Sequence, residues 1–307
     1  MKRDLISLLD LENQEIEKIL DLTQRLKKNR SLHQDLLLGK TIGLVFQKPS
    51  NRTRVSFEVG INELGGNCVY LGPHEINLGV RETTSDVAKT LSRYLKGIVA
   101  RTNSHADIVD LAKYSSISII NGLSDLYHPC QALTDLFSIK EKIGELKGLT
   151  TAYIGDGNNV CQSLMLGASK VGMNINIATP KGYEPNSDII KTAKSLAHES
   201  GSKVLITNSA KEAVKNAHVI YSDVWVSMGQ EEETKARIEI FKNYQINKEL
   251  VSKAHKDYIF MHCLPAHRGL EVTESVIDGK HSIVFDQAEN RLHTQKAILV
   301  YLITNSD

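Results

Sequence analysis

Short β-rich runs alternate with amphipathic stretches along the whole chain, and this alternation leaves few folds open. Thr41–Phe46, Asn67–Leu71, Gly97–Arg101 and Ser116–Asn121 read as strands, with helical spacing of apolar residues between them. A second series follows at Thr150–Gly155, Asn174–Thr179, Lys203–Thr207, His218–Asp223, Tyr258–His262 and Ser282–Phe285. Strands joined by helical crossovers pair in parallel, because each crossover carries the chain back to its starting end. The expected fold class is therefore α/β, with two doubly wound parallel-sheet domains and the active site in the cleft between them. The 307 residues exceed the about 150 typical of one domain. The charged segment Lys140–Lys147 falls between the two series, which sets the expected domains at 1–147 and 148–288.

Composition removes several function classes. With 37 basic and 36 acidic residues the net charge is +1, and Glu231-Glu232-Glu233 is the longest acidic run. No run of like charges is long enough to suggest a nucleic-acid or membrane surface. No apolar stretch approaches the ~20 residues of a membrane span, and the first twenty residues are broken by Asp4, Asp10, Glu12, Glu15 and Glu17. A soluble cytoplasmic protein is expected. Cys68, Cys130, Cys161 and Cys263 form no C-x-x-C pair, which argues against a disulfide framework and a structural zinc site; three of the four read as buried small hydrophobes. The eleven histidines form no H-E-x-x-H pattern, so neither a metal nor a cofactor is expected.

In open α/β sheets, ligands gather beyond the carboxyl ends of the strands. The first such end is Lys48-Pro49-Ser50-Asn51-Arg52-Thr53-Arg54, where two guanidiniums, two hydroxyls and a helix start converge. Arginine forks and helix N–H groups suit a phosphate dianion, although arginines at a helix start also occur as plain solvated surface. Arg101, His128 and Gln131 follow the next strands and are candidates for the same site. The plainer reading of a lone histidine is a satisfied structural residue. With no G-x-x-x-x-G-K-[ST] and no paired carboxylates for magnesium, the phosphate reads as a leaving group and not as nucleotide-driven phosphoryl transfer.

The second series opens with Gly155-Asp156-Gly157-Asn158-Asn159, part of a dinucleotide fingerprint. Its third glycine is missing, and the next strand ends at Ala178-Thr179-Pro180-Lys181 without the acid that holds a ribose. Asn158 and Asn159 suit a polar substrate instead. Asp223 and Cys263 stand at later strand ends. An aspartate there suggests a cationic partner, a helix cap or solvated turn being the plainer role, as a core thiol is for Cys263. One domain then holds a phosphate-bearing molecule, the other an amine or amino acid, and group transfer links them.

These residues carry a resemblance, spanning essentially the whole chain, to the aspartate and ornithine carbamoyltransferase family. Ser50-Asn51-Arg52-Thr53-Arg54 resembles its S-x-R-T-R carbamoyl phosphate loop, His128-Pro129-Cys130-Gln131 its H-P-x-Q element, and Arg101 its lone strand-end arginine. Asp223-Val224-Trp225-Val226-Ser227-Met228-Gly229 is similar to a D-x-x-x-S-M-G loop and His262-Cys263-Leu264-Pro265 to an H-C-L-P motif, both of the ornithine branch. The resemblance implies that Asn159, Asp223, Ser227 and Met228 contact ornithine. It also implies that Cys263, Leu264 and Arg291 complete the carbamoyl phosphate site, and that the final helix, 289–307, returns to the first domain. Where this chain has Asn77, relatives often carry a glutamine that reaches a neighbouring subunit's carbamoyl phosphate site; the shorter amide leaves open whether Asn77 makes that contact directly, through water or not at all, and the resemblance still implies a homotrimer or a multiple of trimers.

The implied reaction is attack of a neutral δ-amine of L-ornithine on carbamoyl phosphate, giving L-citrulline and phosphate, as in arginine biosynthesis or a urea-cycle-type step. Arg101, Thr53 and His128 are expected to polarise the carbonyl oxygen, Gln131 and the main chain at Cys263–Leu264 to hold the carbamoyl nitrogen, and Asp223 and Cys263 to orient the amine. Ser227-Met228-Gly229 is the expected moving lid. The alternatives are carbamoylation of putrescine or another amine, of aspartate, or a non-catalytic amino-acid-binding scaffold. Asp223 stands where a second substrate carboxylate would need cations, and the charged phosphate-site residues Arg52, Arg54, Arg101, His128 and Arg291 are all retained.

Overall fold

The structure, a computed structural model, describes residues 2–76, 78–226 and 233–304. In chain order the elements are α1 (Asn13–Lys28), β1 (Thr41–Phe46), α2 (Arg52–Glu63), β2 (Asn67–Leu71), α3 (Pro73–Ile76), α4 (Thr84–Leu91), β3 (Gly97–Arg101), α5 (His105–Tyr114), β4 (Ser118–Leu123) and α6 (Pro129–Ile143). Then follow β5 (Thr150–Ile154), α7 (Asn159–Lys170), β6 (Asn174–Ala178), α8 (Ser187–Ser200), β7 (Val204–Thr207), α9 (Ala210–Ala213), β8 (Val219–Ser222), α10 (Thr234–Phe241), α11 (Lys248–Val251), β9 (Ile259–His262), α12 (Glu274–Ile277) and α13 (Val284–Thr304). The chain forms two compact units, Met1–Phe137 with Glu289–Asp307, and Ser138–Ala288. No helix of the described residues is long and apolar enough to cross a membrane.

In the first unit the strands run in the order β2-β1-β3-β4, every neighbouring pair parallel. The inner strands β1 and β3 are buried almost throughout, which explains their unbroken apolar runs: helices cover both faces of a parallel sheet. Val45, Ile98, Ala100, Ile108, Leu111 and Ile119 pack one core layer. The expected strand Ser116–Asn121 is observed two residues later. Ser115 Oγ donates to the carbonyl of Ile117 and Ser116 N–H to Ser92 Oγ, so serine side chains occupy this backbone before the ladder starts at Ser118.

The second unit has the order β7-β6-β5-β8-β9, again all parallel. The expected strand Ser282–Phe285 is not one. Ser282 makes a single parallel bridge to Phe260, and from Val284 the chain is helical for 21 residues. The β-branched run Ile283-Val284 imitates a strand, but the long helical period downstream overrides that local preference. All four cysteines are free; Cys130 and Cys161 are buried, whereas Cys68, on the edge strand β2, is half-buried.

Within the first unit, α13 buries a lysine. Lys296, fully buried, donates from Nζ to the carbonyl of Arg30 at 2.7 Å and to Glu63 Oε2 at 2.8 Å. Removing one partner of such a pair leaves the other poorly solvated. Lys296→Met is expected to cost about 2–3 kcal/mol, less than a lone buried pair because Arg30 also bonds Glu63. Urea unfolding of both proteins measures it.

Candidate functional site

In the first unit the end of β1 leads into α2 through Ser50 and Asn51. Asn51 is exposed, Ser50 and Arg52 are half-buried, and Thr53, in the first turn of α2, is buried. Ser50 Oγ accepts the Thr53 N–H at 3.3 Å and so holds the helix start. Arg54 pairs with Glu58 at 2.9 Å and lies over the Tyr70 ring.

Arg291 of α13 ties the other expected residues together. Its two terminal nitrogens donate to Gln131 Oε1 at 2.6 Å and to Thr53 Oγ1 at 3.0 Å. Gln131 in turn donates from Nε2 to Asp135 at 2.8 Å, which orients its amide. Asp135 is fully buried and had no role in the sequence reading, although its spacing of four from Gln131 on one helix is the kind of signal that reveals such a pair. Arg101, ending β3, and His128, just before the Pro129 that starts α6, are both buried. Burial, with the charges of Arg291, Arg101 and Arg52, holds His128 well below the ordinary imidazole range. His128 is thus a neutral ring in a positive field. Burial also pushes the Cys130 thiol up to about 12, which leaves it an inert hydrophobe.

The second unit gathers a different chemistry at the ends of β5, β8 and β9. Asn158 caps α7, its Oδ1 accepting from Val160 N–H, Cys161 N–H and the Tyr153 hydroxyl, while Nδ2 donates to Asp223 Oδ2 at 2.7 Å. Asp223 Oδ1 accepts from Val224 N–H at 2.8 Å and from the Cys263 thiol at 3.0 Å. The half-buried Asn159 opens α7 beside them. The amide that bonds Asp223 Oδ2 is that of Asn158, the residue just before Asn159. Leu264 is half-buried with φ 58, and its N–H donates to His262 Nδ1. Asn77, Ser227, Met228 and Gly229 lie outside the described residues.

Behind this cluster stand residues the sequence reading did not single out. Tyr153 stacks on Tyr221, whose hydroxyl accepts from Gln287, and Gln287 Oε1 accepts the His262 N–H. Arg237, buried, donates to Asp156 and to the carbonyl of Trp225, joining the strand-end loops that carry Asn158 and Asp223. These partners come from distant parts of the chain and have no local pattern. One trio among the described residues is compact enough for a metal: ligand atoms of Asp223, His262 and Cys263 lie within 4.8 Å of one another. The trio is already knit by the bonds above, with His262 Nδ1 and the thiol hydrogen both engaged.

Paired parallel sheets, one with arginines and a neutral histidine at its strand ends and the other with a carboxylate, amide and thiol, define a two-unit α/β transferase. The family described as aspartate/ornithine carbamoyltransferase, carbamoyl-P binding domain, matches residues 3–141, and its Asp/Orn binding domain matches residues 147–302. A catabolic ornithine carbamoyltransferase from Thermoplasma volcanium is 52% identical over 303 residues, covering 99% of each chain. Among solved structures, the ornithine carbamoyltransferase of Pyrococcus furiosus is 50% identical with a TM-score of 0.96, over 99% of this chain and 97% of its own. The anabolic enzyme of Campylobacter jejuni is 37% identical with a TM-score of 0.94, over 99% and 100%. The chain belongs to the aspartate/ornithine carbamoyltransferase family.

The neutral state of His128 has a thermodynamic signature. Below an imidazole's usual pKa of about 6.5 the unfolded chain takes up a proton that folded His128 refuses. Its contribution is therefore complete above about pH 6.5 and is lost as pH falls toward the lower folded value, at up to about 1.4 kcal/mol per pH unit. His128→Gln is expected to be less acid-sensitive than wild type between about pH 6.5 and 5, read as the difference in urea midpoints.

Proposed function

We propose that the protein transfers the carbamoyl group of carbamoyl phosphate to the δ-amine of L-ornithine, giving L-citrulline and phosphate. The observation that carries this is the Arg291–Thr53–Gln131 cluster beside neutral His128, together with full-length relatives that are named ornithine carbamoyltransferases. Residues 1–147 with residues 289–307 hold carbamoyl phosphate, and residues 148–288 hold ornithine. Ser50, Asn51, Arg52, Thr53 and Arg54 receive the phosphate through guanidinium forks and the N–H groups of α2. Asp223 and Asn159, supported by Asn158, receive the amino acid. The protein works as a cytoplasmic homotrimer or a multiple of trimers, and its reaction is the citrulline-forming step of arginine biosynthesis or of a urea-cycle-type sequence.

The chemistry asks two things of these residues. As the amine attacks, the carbamoyl oxygen gains negative charge, and Arg101, the Thr53 hydroxyl and an N–H of His128 are the donors suited to it. Gln131 has a second lone pair on Oε1, beyond the one that Arg291 uses, for a carbamoyl N–H. The attacking amine must first be neutral. For an alkylammonium of pKa about 10.4 that costs about 4.6 kcal/mol at pH 7. A positive field at the point of attack would lower this cost by disfavouring a second cation, and the departing phosphate takes the proton.

Citrulline formation with ornithine, putrescine, N-acetylornithine or aspartate as sole acceptor tests the reading. Ornithine is expected to dominate. Arg101→Ala is expected to lower kcat by about 100- to 1,000-fold, the usual effect of losing one oxyanion donor. Preference for another acceptor would remove the ornithine assignment, and absence of any product would favour a binding protein.

A further inference from the structure

We infer that Glu271 and His262 form a positioning pair that locks the main chain of Cys263 and Leu264 in the turn it presents to the substrates. The inference rests on the transfer reading above, which gives this stretch of chain to the carbamoyl nitrogen and the amine. Neither residue of the pair touches substrate in that reading; both act through the turn.

Three observations converge. His262 ends β9 and is fully buried, as is Glu271. The Leu264 N–H donates to His262 Nδ1 at 2.9 Å, so Nδ1 must present its lone pair. A neutral imidazole then carries its one proton on Nε2, and that atom makes no hydrogen bond but lies 3.4 Å from Glu271 Oε1, close enough for the carboxylate to act on it electrostatically. The hydrogen bond on one side of the ring thus fixes the tautomer on the other.

The carboxylate is itself held. Glu271 Oε1 accepts the His267 N–H at 2.5 Å, Oε2 lies 3.8 Å from His267 Nδ1, and the ring's own backbone N–H is bonded to Gln287. Burying a carboxylate is costly, and an apolar side chain would fill the space more cheaply. What the carboxylate adds is a preference for the proton on Nε2.

The turn needs that support. Leu264 sits at φ 58, in the left-handed region, which is unfavourable for a non-glycine residue. The bond from its N–H to His262 Nδ1 closes the turn and offsets this. The same turn sets the Cys263 thiol 3.0 Å from Asp223. With the proton on Nδ1, two N–H groups would oppose each other, Leu264 would relax, and Cys263 would leave Asp223.

Glu271→Gln separates this role from simple packing, because the amide keeps the volume and can donate to Nε2, favouring the wrong tautomer. In protein labelled with 15N-histidine, the His262 ring, assigned by its loss in His262→Gln, is expected to carry its proton on Nε2 in wild type and to gain Nδ1–H character in Glu271→Gln. Turnover with ornithine is expected to fall about 10- to 100-fold, as for other losses of an orienting partner, with an unchanged urea midpoint. If the amide variant does not fold, Glu271→Asp keeps the charge but withdraws it from the ring, and the same loss of turnover is expected. A wild-type ring protonated on Nδ1, or a variant with wild-type turnover, overturns the pair. A wild type with the expected tautomer but no ornithine turnover overturns the transfer reading and with it the purpose given to the turn.

Discussion

A guanidinium buried from water must find acceptors, and in the first unit Arg291 finds them on two different helices. Thr53 belongs to the start of α2 and Gln131 to the start of α6, so one side chain of α13 sets the spacing of both. The field of the Arg291 charge, with those of Arg101 and Arg52, is felt by His128. A dianion is the natural complement of that field, since two hard problems, buried cations and a desolvated phosphate, are eased by the same contact.

The second unit solves a mirror problem with a buried carboxylate. Asp223 is surrounded by donors of graded strength: an amide, a backbone N–H and a thiol. Its neighbours are held from behind by a continuous path. Gln287 grips both the His262 backbone and the Tyr221 hydroxyl, Tyr221 stacks on Tyr153, and the Tyr153 hydroxyl reaches Asn158. Burial and the charge of Asp223 push the Tyr153 hydroxyl well above its usual range, so it remains a donor across working pH. The polar face of the site thus has a rigid aromatic backing.

Much of this was legible because the informative residues sit at predictable places. β1, β2 and β3 begin and end where the apolar runs do, and Thr53, Arg101, His128, Asp223 and Cys263 all stand at or just beyond strand ends. What was not legible in the sequence has physical causes. Ile283 and Val284 look like a strand because β-branched residues also occupy the first turn of α13. Asn158 and Asn159 cannot be ranked from sequence, since either amide suits a cap or a ligand; the cap hydrogen bonds single out Asn158. Asp135, Gln287, Arg237 and Glu271 act as supports, and a support is recognised only by what it touches.

The neutral state of His128 also limits how a carbamoyl transfer can proceed here. A ring whose pKa is held well below the ordinary range by burial and three arginines is a poor general base, because protonating it adds a fourth cation to the cluster. It is an equally poor source of a full proton, having none to spare at neutral pH. What remains is an N–H dipole, which can stabilise a developing oxyanion without any transfer. The proton lost by the amine must then go elsewhere. Asp223 is tied into its own hydrogen bonds with Asn158, the Val224 N–H and the Cys263 thiol. The leaving phosphate is the one group whose basicity rises as the reaction advances, since breaking its bond to carbon returns a charge to its oxygen. A neutral His128 thus leaves the proposed proton transfer to phosphate without a competing base in the first unit's arginine cluster.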